Sequence, residues 1–311
     1  MIVFPHAKIN LGLRVLGNWS AGKDEATSSV NKHCQTSHNI YAGSDDTDTV
    51  SGYHEIESIL VPVSLHDILE LIPSPDGQTK LFLSGLPVPG EISSNLCLQA
   101  YQKIKHEAGR LPPVHIYLHK CIPPGSGLGG GSSDAAYMLL LLNRFFQLNM
   151  SHSKLLSLAA SLGSDCPFFL QKETMLAKGT GHILKKIFIA ELQGKHLAIV
   201  VPPLHVSTGW AYKELASAWE KPPPQKPDTS VRLPLSTWQK HIKNHFEQLI
   251  CKKHPYLLKV RRVLNDNGAV YTSLTGTGSA MYGIFDTPPP RQHLQEILSD
   301  SQVFLTSAAI C

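Results

Sequence analysis

Between Pro124 and Ala136 the chain reads PGSGLGGGSSDAA, with glycine at 125, 127, 129, 130 and 131. A run this dense in glycine lacks side chains and permits positive φ, so successive backbone N–H groups can converge on an anion. The alternating run VHIYLHK at 114–120 leads into the loop as a half-buried strand. A Ser-Ser-Asp start leads out of it into a strongly apolar helix, whose free N–H groups and dipole face the same loop. A phosphate is the guest that this arrangement suits. The cradle residues are Pro124, Gly125, Ser126, Gly127, Leu128, Gly129, Gly130, Gly131, Ser132 and Ser133.

Familiar nucleotide signatures do not describe this loop. Gly125, Gly127 and Gly130 formally match G-x-G-x-x-G. Yet about twenty residues on, where a dinucleotide site needs a carboxylate for ribose, the chain is apolar mid-helix near Phe145. No lysine follows the glycines as a Walker loop requires, and the H-R-D and D-F-G motifs of protein kinases are absent.

Around the loop, the periodicity predicts a strand over 2–15 carrying Lys8 and Asn10 on one side of its pleat. A long loop follows over 17–52, rich in Ser, Thr, Asn, Asp and Gly. Two strands over 57–74 are separated by a Ser-Leu-His-Asp turn, and a short strand is expected at 81–83. Helices are expected over 95–108 and 155–162. After an interruption at 176–182 come a strand at 196–203, a helix at 209–220 and a proline-rich loop at 221–234. Helices at 238–254 and 256–267, two strands flanking a glycine turn at 274–285, and a last helix complete the pattern. This predicts two domains, 1–176 and 177–311, the second a two-layer α+β unit.

With 28 Lys and Arg against 24 Asp and Glu, the net charge is only +4. That excludes a histone-like tail but not a site for an anionic ligand. No stretch approaches the roughly 18 apolar residues of a membrane span, and no secretory leader is expected. The six cysteines include no C-x-x-C pair and are expected to be free thiols in a reducing compartment.

PPGSGLGGGSSDAA resembles the phosphate loop of the small-molecule kinase superfamily that includes galactokinase, homoserine kinase and mevalonate kinase, the GHMP kinases. Further motifs are similar, in order, to one branch of it: AKINLGLRV at 7–15, GYHEIES at 52–58, LGSDCPFFL at 162–170, Val-Ser-Thr at 206–208 and LTGTGSAMYGIF at 274–285. That branch acts on a cytidine-diphosphate-linked methylerythritol. The resemblance implies an α+β fold of two domains, ribosomal-protein-S5-like at the amino end and ferredoxin-like at the carboxyl end, with the active site between them. It implies ATP-dependent phosphorylation of the substrate's tertiary 2-hydroxyl, with ATP and Mg2+ as cofactors. It departs from the family at 17–51, an extra tract ending in Ser51-Gly52 where relatives have Asp-Gly.

Asp165, between a serine and the Cys166-Pro167 turn, is either a turn cap or a reactive carboxylate; the resemblance makes it the base that takes the hydroxyl proton. Lys8, otherwise a surface lysine on an edge strand, becomes its partner. The resemblance assigns Asn10, Tyr53, His54 and Thr208 to the substrate, an aromatic face and an imidazole suiting cytosine. Gly276, Thr277 and Gly278, by themselves a strand turn, become a loop closing over the cleft, with Lys178 and the glycines at 179 and 181 contributing similarly. The magnesium ligands stay open between Ser132, Ser133 and the phosphates themselves. A nucleic-acid partner would call for a continuous basic patch or exposed aromatic platforms, which the sequence lacks. Neither nucleic acid nor membrane is therefore expected as a partner. A monomer or weak homodimer is expected, cytoplasmic in a bacterium or in the plastid stroma of a plastid-bearing eukaryote.

Overall fold

Three four-stranded sheets organise the described part of the chain, residues 1–18, 54–217 and 222–308 of this computed structural model. The long tract after Asn18, and Tyr53 at its end, lie outside the described residues. The described residues that flank it are paired in one antiparallel ladder, Asn18 opposite His54.

The first sheet is built from β1 (Ile2–Val3), β4 (Ile68–Pro73), β6 (Val114–Lys120) and β5 (Lys80–Gly85), in that order. Its inner face packs on α1 (Leu96–Ala108), α2 (Gly130–Phe145), α3 (His152–Ala160) and the single turn α4 (Cys166–Phe169) through Leu69, Leu71, Ile116, Leu118, Ile104 and Leu139. The second sheet runs β2 (His6–Asn18), β3 (His54–His66), β7 (Met175–Gly179), β8 (Ile183–Lys186), all antiparallel.

The third sheet holds β9 (His196–Val201), β10 (Tyr271–Leu274), β11 (Met281–Phe285) and β12 (Gln302–Ser307), in the spatial order β10-β11-β9-β12. Between β9 and β10 lie α5 (Thr208–Ser217), α6 (Pro227–Ser230), α7 (Trp238–His241), α8 (Glu247–Lys253) and α9 (Tyr256–Asp266); α10 (Arg291–Ile297) precedes β12. This is the ferredoxin-like β-α-β-β-α-β arrangement. Ala7, Ile9 and Leu11 of β2 share a core with Leu197, Ile199, Tyr282 and Ile284, which seals the second sheet onto the third. The alternate residues of β2, Lys8 and Asn10, point the other way, and there the site is built.

The structure differs from the sequence expectations at definable places. The first strand is interrupted at Phe4-Pro5, because proline has no N–H for a ladder. The Ser-Leu-His-Asp turn shrinks to Asp67, since β3 continues through His66. The division at 176/177 falls inside β7, and the amino-terminal sheet continues to Lys186. Part of the proline-rich loop turns into α6, with Pro227 in its first turn where a missing N–H costs nothing. The expected helix over 238–254 breaks after His241. There Lys243 and His245 bond to both sides of Leu13, N to O at 3.0 and 2.8 Å, and extend the chain against β2. A last strand, β12, follows the last helix. Among the described residues no helix is long and apolar enough to cross a membrane, and Cys97, Cys121, Cys166 and Cys251 are free thiols.

Candidate active site

The glycine loop meets a second glycine loop from the far end of the chain. A methyl on Gly127 (φ 84°) would lie 2.3 Å from the Thr275 carbonyl oxygen, and one on Gly276 would lie 3.4 Å from Gly127 Cα. The Ala280 N–H donates to Ser126 O at 3.0 Å, and the Lys8 N–H donates to Leu128 O at 2.9 Å. At Gly127 the opposing backbone leaves no room for a Cβ, whereas at Gly276 the space is ordinary and the left-handed φ of 57° is what favours glycine. Gly129 (φ 75°) caps α2, so the helix begins at Gly130, earlier than the serines that were expected to open it. Ser132 stays half-buried beside Cys166, whereas Ser133 is fully buried and its hydroxyl has no hydrogen-bond partner.

Beneath the loop lies a buried charge cluster. Lys120 donates to Asp67 and, at 2.6 Å, to Asp134. Asp67 also accepts the N–H groups of Cys121 and Ile122 at 2.6 and 2.8 Å. Burial pushes the Asp134 carboxyl well above its usual range, and Asp67 adds to that while Lys120 opposes it. For Lys120 burial acts against the charge, but the two carboxylates outweigh it and hold it above its usual value. Pro124, Gly125 and Gly131 border a concavity with Lys120, Leu83, Val88, Ile92, Asn95 and Leu96.

Lys8 enters from β2 across the face of the loop. Its stem packs 3.2 Å from where a Gly129 methyl would stand. Its ammonium donates to Asn10 Oδ1 at 2.5 Å and lies 3.7 Å from Asp165 Oδ2. Burial pushes the Lys8 ammonium below its usual value, with Asp165 pulling the other way. Asp165 precedes α4 without capping it, so its carboxylate is left to the cleft. Asn10 has its amide engaged inside the protein, with Lys8 and the Thr275 hydroxyl on Oδ1 and Ser58 on Nδ2. It holds Lys8 in place.

On the other side of Asp165, His54 and Tyr212 pack with their rings tilted by 36° and 4.8 Å between centroids, and Tyr212 continues edge-on to Phe246 at 4.8 Å. Burial lowers the His54 pKa; for Tyr212, burial and then the Asp165 charge raise it. Thr208 lies 3.2 Å from Thr277, hydroxyl to hydroxyl, which joins α5 to the second glycine loop. Lys178 reaches Glu57 at 3.0 Å, which Arg14 also holds at 2.5 Å. A methyl on Gly181 would come 3.8 Å from the Ser164 carbonyl oxygen.

The structure therefore brings Lys8, Asn10, His54, Asp165, Thr208 and both glycine loops around one cleft. Sequence reasoning missed Tyr212, which looks like any core aromatic on a helix. It also missed His205, whose ring stands 3.1 Å from a Gly125 methyl position, and Asn244 and Glu247, which sit where a continuous helix was expected.

Comparison with known proteins agrees with this geometry. Residues 95–173 match the GHMP kinases N terminal domain. Among solved structures, a mevalonate kinase superposes with a TM-score of 0.65 at 14% identity over 99% of this chain and 98% of that one, a likeness of fold. A 4-(cytidine 5'-diphospho)-2C-methyl-D-erythritol kinase superposes with a TM-score of 0.72 at 27% identity, covering 99% of both chains. Two loops of glycine closing on a lysine–aspartate pair, carried on this fold, define a small-molecule kinase of the GHMP superfamily. A curated 4-diphosphocytidyl-2-C-methyl-D-erythritol kinase of Azobacteroides pseudotrichonymphae is 37% identical over 93% of this chain and 94% of its own length. That of Porphyromonas gingivalis is 34% identical over 93% of both. The chain belongs to the 4-diphosphocytidyl-2-C-methyl-D-erythritol kinase family.

Proposed function

We propose that the chain transfers the γ-phosphoryl group of ATP to the 2-hydroxyl of 4-diphosphocytidyl-2-C-methyl-D-erythritol, giving the 2-phosphate and ADP, a step of the non-mevalonate route to isoprenoid precursors. The observation that carries this reading is the Lys8–Asp165 pair, 3.7 Å apart, set between the glycine cradle and the His54–Tyr212 side of the cleft. Phosphoryl transfer asks the protein for positioning and charge stabilisation more than for covalent chemistry. Asp165 accepts the proton of the attacking hydroxyl, and the oxygen so freed forms its bond to the γ-phosphorus as the bond to the ADP oxygen breaks. Lys8 orients that hydroxyl and stabilises charge on the transferring group.

The cradle from Gly125 to Ser132 holds the phosphates with backbone N–H groups and the N-terminus of α2. Adenosine lies in the concavity lined by Leu83, Ile92, Asn95 and Leu96, which opens beside Gly125. Cytosine stacks on the Tyr212 face and bonds to His54; Tyr53, which the family resemblance also assigns to the substrate, lies outside the described residues. Thr208, Gly276, Thr277 and Gly278 close over the reacting groups. For magnesium, which the family implies, no group of three or more His, Cys, Asp or Glu side chains among the described residues makes a cage. Ser132 and the phosphate oxygens of the nucleotide are the oxygens at hand.

ATP consumption by the purified chain with the cytidine substrate, set against mevalonate, homoserine and galactose, tests this. Turnover confined to the cytidine substrate and lost in Asp165→Asn is the expected result. Turnover with another alcohol alone would leave the kinase fold intact and overturn the substrate.

A further inference from the structure

The break in the helix expected over 238–254 places two side chains, Asn244 and Glu247, on the backbone of the second glycine loop. Asn244 Nδ2 donates to the Leu274 carbonyl at 2.9 Å and to the Gly276 carbonyl at 2.8 Å, while its Oδ1 accepts from the Phe246 N–H at 2.9 Å. Glu247 Oε2 accepts from the Leu274 N–H at 2.7 Å and from the Ser273 hydroxyl at 3.0 Å. Its other oxygen is held by Arg261. Both the N–H and the C=O of Leu274 are thus gripped by side chains three residues apart in sequence.

The carbonyls that Asn244 holds flank Thr275. The Thr275 hydroxyl accepts from the Asn10 N–H at 3.0 Å and donates to Asn10 Oδ1, which in turn accepts from the Lys8 ammonium. A methyl on Gly276 would stand only 3.6 Å from Lys8 Nζ. Asn244 is buried, and its side-chain hydrogen bonds go to Leu274, Gly276 and Phe246 rather than to Lys8 or Asp165. Its side chain is an amide because only an amide can give two hydrogens to two carbonyls and still accept one from its own chain.

We propose that Asn244, with Glu247, is a positioning residue for the phosphoryl transfer, fixing the 274–276 backbone and, through Thr275 and Asn10, the Lys8 ammonium. The proposal rests on the function assigned above. Reacting groups displaced by about 1 Å from their productive place lose on the order of 100-fold in rate, so a slackened loop acts on turnover more than on binding.

The test is steady-state kinetics of the full chain carrying Asn244→Ala or Glu247→Gln, with turnover counted per folded site from the stoichiometry of nucleotide-analogue binding. The expected result is a kcat lower by roughly tenfold or more, with KM for ATP and for the cytidine substrate each within about threefold of the unsubstituted chain. If Asn244→Ala does not fold, Asn244→Asp keeps the size and the Phe246 bond but sets an oxygen against both carbonyls, and the same split is expected. A kcat per folded site within about twofold of the unsubstituted chain, even beside a lowered melting temperature, would overturn the clamp alone. An unsubstituted chain that fails to turn over the cytidine substrate would overturn the function and the clamp with it.

Discussion

Lys8 Nζ stands 3.7 Å from Asp165 Oδ2, and the two side chains meet solvent very differently: the lysine is 4% exposed and the aspartate 39%. A buried cation thus faces a carboxylate that a substrate can reach. Asp165→Asn keeps the shape and removes the base, so turnover is expected to fall by about 10²- to 10⁴-fold while nucleotide still binds. Kinetics paired with calorimetric titration of a nucleotide analogue separates the two effects. A variant with undiminished turnover would remove Asp165 from the chemistry.

Gly127→Ala puts a methyl 2.3 Å from a backbone oxygen, which cannot rotate away, at a φ of 84°. The two glycine loops must part to admit it. Nucleotide affinity is expected to drop at least about tenfold, with a stability loss on the order of 1–3 kcal/mol. Equilibrium binding and thermal melting on the same sample check both.

Tyr212→Ala removes the ring against which His54 packs. The expected outcome is a KM for the cytidine substrate raised by roughly tenfold with KM for ATP little changed, whereas Tyr212→Phe, which keeps the ring, stays near the parent value. Equal effects on both substrates would count against a cytosine platform here.

Lys120→Met strips the cation from two buried carboxylates. Removing one partner of a buried ion cluster costs about 3–5 kcal/mol, because the charge left behind is uncompensated. The melting temperature should fall accordingly. Adding Asp134→Asn to Lys120→Met should recover a large part of the loss, which a double-substitution cycle in urea measures.

His6 gives the stability an acid limb. It lies among Tyr137, Phe168 and Phe169, and burial lowers its pKa from 6.5 to about 4, with His66 and Lys172 adding to the shift. Above pH 6.5 it is neutral in both states and contributes nothing to the slope. As pH falls from there towards 4, the unfolded chain binds a proton that the folded chain refuses, and about 3 kcal/mol of stability is lost. His6→Phe fits the same rings and cannot titrate. Its urea midpoints between pH 7 and 4.5 should fall less steeply than those of the parent; parallel slopes would rule His6 out.

What could be read in the sequence was what short-range chemistry encodes. Gly125 to Gly131 announce a backbone that must approach something closely, and Lys8 and Asn10 share a side of β2 because strand residues alternate. Tyr212, Asn244 and Glu247 act through partners far off in the chain, and nothing in their immediate neighbours marks them out. The polar and apolar spacing over 238–254 is truly helical; what breaks it is Leu13, which offers its backbone to Lys243 and His245. The strand β12 was missed for the same reason, since it finds its place only through a ladder with β9.

The contact between Gly127 and Thr275 joins residues that leave the ribosome far apart in time. Until β10 and β11 exist, the phosphate loop has no opposite wall, and neither the Ser126–Ala280 bond nor the Thr275–Asn10 bond can form. Long-range pairings of this kind come late in folding. The phosphate loop is therefore made well before the wall that completes it, and the closed site comes into being only when residues 271–285 have been synthesised.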